Sequence, residues 1–133
     1  MSPDQIHSIE AAALAMVGSP ERRCHVAMAD IYKAVGLLPQ DLEIPTGDYD
    51  WAQSQGRSLI TPWVESCGFF TPVVAPAQPG DLLGFRLGHA LHHVAIQLEG
   101  GRLFHVFGEH GPQIAVAVPA QWAKRLEKIW RLK

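Results

Sequence analysis

Cys24, His93 and His105 are the residues of this 133-residue chain whose types and order point to chemistry. Cys24 opens a helical pattern, and the two histidines lie far downstream in segments that alternate as strands do. A thiol at a helix start, met by an imidazole from a distant strand, is what a thiol nucleophile needs. The helix dipole and nearby positive charge favour thiolate over a free-thiol pKa of about 8.5, and an imidazole can hold an ion pair with it. Arg22 and Arg23, directly before Cys24, push the same way. Ser19-Pro20-Glu21 is also a good helix start, with Ser as N-cap and Pro in the first turn. A helix beginning there would leave Cys24 a full turn inside and weaken the dipole's effect.

Whether the histidines can meet is a question of strand parity. Alternate side chains share a face, so His93, Ala95 and Gln97 separate from His92, Val94, Ile96 and Leu98, and the second set reads as the core face. His105 shares a face with Leu103 and Phe107. If Glu99-Gly100-Gly101 is a three-residue loop, Leu98 pairs with Arg102 and Ala95 with His105, which sets His105 diagonal to His93 on one face. A two-residue Gly-Gly loop would slip the register and send His105 to the other face.

The elements that must position these residues follow from periodicity. Ile6, Ile9, Ala13, Leu14 and Val17 predict a first amphipathic helix ended by Gly18. Cys24, Met28, Ile31 and Val35, widened by Ala27 and Tyr32, predict a second that Gly36 closes. Pro39, Pro45, Gly47 and Asp48 make the stretch to Tyr49 a loop, and residues 56 to 67 hold one more short helix. From residue 69 the period changes to two, with GDLLGFRL (80 to 87), HHVAIQL (92 to 98), RLFHVF (102 to 107) and QIAVAV (113 to 118) separated by Gly-rich turns. A short helix follows Pro119, with a closing strand around Ile129 to Leu132. Helices first and an antiparallel meander afterwards predict an α+β fold, with residues 1–133 as a single domain.

Composition narrows the function. The formal charge is −2, with 47% hydrophobic and 18% charged residues. This gives no electrostatic footprint for nucleic acid, and no run of about 18 apolar residues predicts membrane insertion. The N-terminus lacks the order of a signal peptide, which predicts synthesis in the cytoplasm, with Cys24 and Cys67 both as thiols. Cys67 has no histidine at motif spacing and reads as packing. His25, His89, His92 and His110 raise zinc ligation as a minor alternative, against which His92 and His93 point to opposite faces and no carboxylate or Cys falls at ligand spacing. No cofactor is expected. The four Trp (Trp51, Trp63, Trp122, Trp130) could line a sugar or peptide groove or fill the core.

CHVAMADIYKAVG (24 to 36), QPGDLLGFRL (78 to 87) and HHVAIQLEGGRLFHV (92 to 106) together resemble the NlpC family of papain-like bacterial cell-wall peptidases, in particular its short phage-tail and prophage members. The likeness spans roughly residues 20 to 132. The order of Cys helix, Gly-Asp strand and His-hairpin-His is more specific than any one piece. The resemblance implies a papain-like α+β domain acting as a cysteine peptidase on the peptidoglycan stem peptide, with Cys24 as nucleophile, His93 as base and His105 as the residue that orients it. It also implies an association with phage tail proteins and a place in the virion. Arg23, His25 and Val26 stand where the family usually carries Asp, Ser and Gly, and MVGSPERR stands in place of its Tyr-containing, Gly-rich upstream loop. Those departures motivate the rival expectation, a catalytically silent tail or tail-assembly protein that keeps the fold.

Overall fold

Helix α1 (Pro3–Met16) begins at a capping box in the computed structural model, which describes residues 1–46, 55–106 and 108–133. Ser2 Oγ accepts the Gln5 amide, and the Gln5 side chain accepts the Ser2 amide, so two otherwise unpaired donors are satisfied. Ile9 and Ala13 are buried, whereas Leu14 and Val17 are exposed, contrary to the expected stripe. The apolar face is completed by Ala12 and Met16, which pack against the core. At about 100° per residue, Leu14 has already rotated away from the line through Ile9 and Ala13.

Helix α2 (Cys24–Ala34) follows the predicted stripe, with Cys24, Ala27, Met28, Ile31 and Tyr32 all buried. Helix α3 (Ile60–Ser66) is shorter than the expected span, because Ser58 Oγ takes the amides of Ile60 and Thr61 and so fixes its start. The expected loop to Tyr49, together with Trp51 and Phe107, falls in part or whole outside the described residues.

The strands are β1 (Phe70–Pro72), β2 (Leu82–Leu87), β3 (Ala90–Gln97), β4 (Leu103–Val106), β5 (Pro112–Ala115) and β6 (Leu126–Leu132), with a one-turn helix α4 (Ala120–Ala123) before β6. They form one antiparallel sheet in the order β1-β6-β2-β3-β4-β5. The C-terminal strand is therefore interior rather than closing, held between β1 and β2. One ion pair fastens it there. Asp81 is only 1% exposed; its carboxylate accepts both Nε and Nη2 of Arg131 at 2.9 Å and the Gln78 amide at 2.8 Å. The Gly-Asp step entering β2 is thus a joint between β2 and β6, and Gly80 takes φ +94°, a conformation that suits glycine.

Helices α1, α2 and α3 cover one side of the sheet, where Leu82, Val94, Ile96, Leu98, Phe104 and Trp130 meet Ile9, Met28, Ile31 and Tyr32. The other side is also covered. Leu83, Phe85, Ala95, Leu103 and Ile129 pack there with Val73, Val118 and Trp122. Parity on β3 alone predicts a single core face, but Ala95 and His93 on its other face are buried as well. No helix among the described residues is long and apolar enough to cross a membrane.

Candidate active site

Cys24 is the first residue of α2, and Arg23 occupies its N-cap. The helix therefore does not start at Ser19, and the thiol sits in the first turn, where the helix dipole stabilises negative charge. The Arg23 side chain makes no capping bond. Cys24 is 8% exposed and packs in the helix-side core.

The expected push from the arginines is offset. Glu21 accepts the amides of Arg22 and Arg23 at 3.0 and 2.9 Å and the Arg23 Nε at 3.0 Å. Its hydrogen bonds with Arg23 hold the Glu21 carboxyl below its ordinary range. Much of the Arg23 charge is thereby balanced before it reaches the thiol. His25 is fully buried, and its Nε2 is bonded to the Pro45 carbonyl. Burial is the main reason its pKa falls below the imidazole norm.

Strands β3 and β4 carry the two candidate imidazoles. Leu98 N donates to Arg102 O at 2.8 Å and Ala95 pairs with His105, so the hairpin has the three-residue register. Gly100 and Gly101 both take positive φ in its turn. His93 and His105 consequently share a face, with ring centroids 5.7 Å apart and ring planes at 83°. Helix α2 packs on both of these strands. The structure thus brings His93 and His105 together on the sheet face that carries Phe85, Ala95 and Leu103, and it sets Cys24 in the core on the other side, at the head of the helix that rests on their strands.

His92 behaves differently from the core residue that parity suggests. Leu91 pairs with Arg86 and His93 with Phe85, leaving His92 as an extra, half-buried residue in a bulge. Such a bulge re-aims neighbouring side chains. Leu91 takes the helix-side position instead.

His93 lies in an aromatic enclosure. The Phe85 ring is 5.9 Å away and the Trp122 indole 4.8 Å away at 37°, while Trp122 also meets Phe85 edge-on at 5.7 Å. His93 is 7% exposed, and its Nε2 has no hydrogen-bond partner among the described residues. Burial above all, then the nearby charges of His105 and His92, push its pKa down to about 3. Burial also lowers the His105 pKa.

Trp122 was readable beforehand only as groove or core, and its contact with His93 arises because α4 folds back over β2 and β3. The other described tryptophans are structural: Trp130 is fully buried, and Trp63 donates its indole N–H to Glu43 O. Cys67 caps the end of α3, half-buried, with its thiol on the Val64 carbonyl. Among the described residues no three His, Cys, Asp or Glu side chains converge as metal ligands.

A Cys-headed helix packed on an antiparallel sheet that carries two adjacent histidines is a papain-like α+β architecture. More narrowly, it is the fold of NlpC/p60 domains. The NlpC/p60 domain of the peptidoglycan hydrolase SagA superposes with TM-score 0.55 at 21% identity, over 93% of this chain and 96% of that one. A lipoprotein-like NLP/P60 protein of Staphylococcus aureus superposes with TM-score 0.58 at 22% identity, over 99% of this chain and 42% of that one. In sequence, the chain is 27% identical over 109 residues to the tail tip assembly protein K of Escherichia phage lambda, covering 81% of this chain. It spans about half of that relative's length, 52%. No protein-family model matches the chain.

Proposed function

We propose that the protein is a cysteine peptidase that cleaves a peptide bond of the peptidoglycan stem, in association with a phage tail. The observation that carries this reading is the His93–His105 pair on the two adjacent strands against which the helix headed by Cys24 packs. In the proposed reaction His93 takes the Cys24 proton as the sulfur adds to the stem-peptide carbonyl. The carbon–nitrogen bond then breaks, and the leaving amine receives that proton from His93. Water hydrolyses the thioester, returning the thiol and releasing the acid. His105, edge-on to His93, fixes the ring that makes both transfers. The amides of the first turn of α2 supply donors for the developing oxyanion.

A second reading has its own support: a silent tail-assembly protein that keeps the fold. His25 is buried against Pro45, His93 is enclosed by aromatic rings, and the matching sequence is that of a tail tip assembly protein. Digestion of a panel of purified peptidoglycans separates the two. The peptidase reading predicts released stem-peptide fragments, and a fall of about 10⁴-fold or more in Cys24→Ala with its fold intact. Release of nothing by folded wild-type protein, or undiminished release by the variant, would favour the silent protein.

A further inference from the structure

Helix α4 meets the rest of the molecule through few side chains. Ala120, Gln121 and Ala123 are exposed, as are Val116 and Ala117 before it and Lys124 and Arg125 after it. Its backbone bonds are local, from Trp122 and Ala123 N to Pro119 O and from Arg125 N to Trp122 O. The first firm attachment beyond it is the Arg86 amide on the Arg125 carbonyl, where β6 begins. What holds the turn down is the Trp122 indole, together with Val118, on the sheet face that carries Leu83 and Phe85. That indole is also what covers the His93 ring.

We propose that α4 is a lid over His93, closed by the stacking of Trp122 and lifting as a unit between Ala117 and Arg125 to expose the imidazole to substrate and solvent. The proposal rests on the reading of His93 as the base. An imidazole stacked against an indole on one side, with Phe85 beside it and His105 at its edge, has little open surface from which to serve a substrate. Segments with few buried contacts are the ones that open locally at low cost. A one-turn helix between exposed stretches, fastened mainly by one indole, fits that description. Trp122 is on this view a gating residue rather than a catalytic one.

Carbethoxylation by diethyl pyrocarbonate, followed at each histidine by peptide mass spectrometry, reads the lid without any peptidoglycan. Exposed His7 and His89 serve as internal references. In wild type His93 should react at least about tenfold more slowly than these, in proportion to the open fraction. Trp122→Ala should raise the His93 rate by about tenfold or more, and Trp122→Phe, which keeps a stacking ring, should stay within about threefold of wild type. An unchanged His93 rate in a folded Trp122→Ala protein, or a Phe variant as fast as the Ala variant, would overturn the lid. If Trp122→Ala does not fold, hydrogen exchange of the wild type decides. The amides of Trp122, Ala123 and Arg125 should exchange together, about tenfold or more faster than those of Ile129 and Trp130, and equal protection would overturn the proposal. A lid confirmed in a protein that digests nothing would count against the peptidase reading alone.

Discussion

At the scale of the residue, the enclosure of His93 by Phe85, Trp122 and His105 ties protonation to stability. Its folded pKa lies far below the ordinary 6.5. Below that value the unfolded chain takes up a proton that the folded site refuses. Stability is therefore full above about pH 6.5 and is lost as the pH falls from there toward 3, at up to about 1.4 kcal/mol per pH unit for one group. Burial lowers the pKa of His25 and His105 in the same direction, so their losses add. Urea unfolding at pH 6.5 and pH 5 should show the decline, and His93→Gln should shrink it by up to about 2 kcal/mol. The same slope in both proteins would mean that His93 is hydrated in the fold. The pairing of His93 with His105 was legible in the sequence as one of two registers, since strand parity gives it for a three-residue Glu-Gly-Gly loop and denies it for a two-residue Gly-Gly loop, and only the structure chooses the first. The Trp122 contact was not. It joins residues on separate elements through a chain reversal that no local pattern encodes. The Glu21 bonds that balance Arg23 were equally hidden, although Glu21 stands only two residues away.

At the scale of the element, β2 shows how a motif that looks functional also has a structural cause. The Gly-Asp pair resembles a family signature, and the structure explains it as a turn locked by Gly80 and joined through Asp81 to Arg131 on β6. Further along, Gly84 sits where a Cβ would lie 2.5 Å from Leu91 Cδ1 and 2.8 Å from Trp130 Cζ3. Neither neighbour has room, since Leu91 and Trp130 are both buried. Gly84→Ala should therefore destabilise by about 1–3 kcal/mol, read as a lower urea midpoint at unchanged slope. A neutral effect would mean that the β2–β3–β6 junction is looser than the packing indicates. The meander was legible from its alternation and glycines. The insertion of β6 between β1 and β2 was not, because the partners are about 40 to 60 residues apart and β1, Phe70–Pro72, is too short to show a period.

At the scale of the molecule, the sheet is sandwiched between α1, α2 and α3 on one side and a thinner layer including Val73, Val118 and Trp122 on the other. We propose that residues 1–133 make one domain. The expected outcome is a single thermal transition whose calorimetric and van't Hoff enthalpies agree, while two resolved transitions would contradict it. The fold class was legible because the hydrophobic period switches once along the chain. The burial of both sheet faces was not, since it depends on α4 and on strand partners outside the hairpin.

The central claim is that Cys24 is an activated thiol served by His93. Iodoacetamide alkylation of Cys24 and Cys67 against pH, read by peptide mass spectrometry, tests it most directly, because exposure and activation point in opposite directions. Cys67 is the more exposed of the two, so access alone makes it the faster. The account predicts that Cys24 alkylates faster at neutral pH, with an inflection below the ordinary thiol value of about 8.5, and that His93→Ala moves the inflection back up to that range. A Cys24 that reacts no faster than Cys67 at any pH below 8.5, or whose profile is the same in His93→Ala, would contradict it.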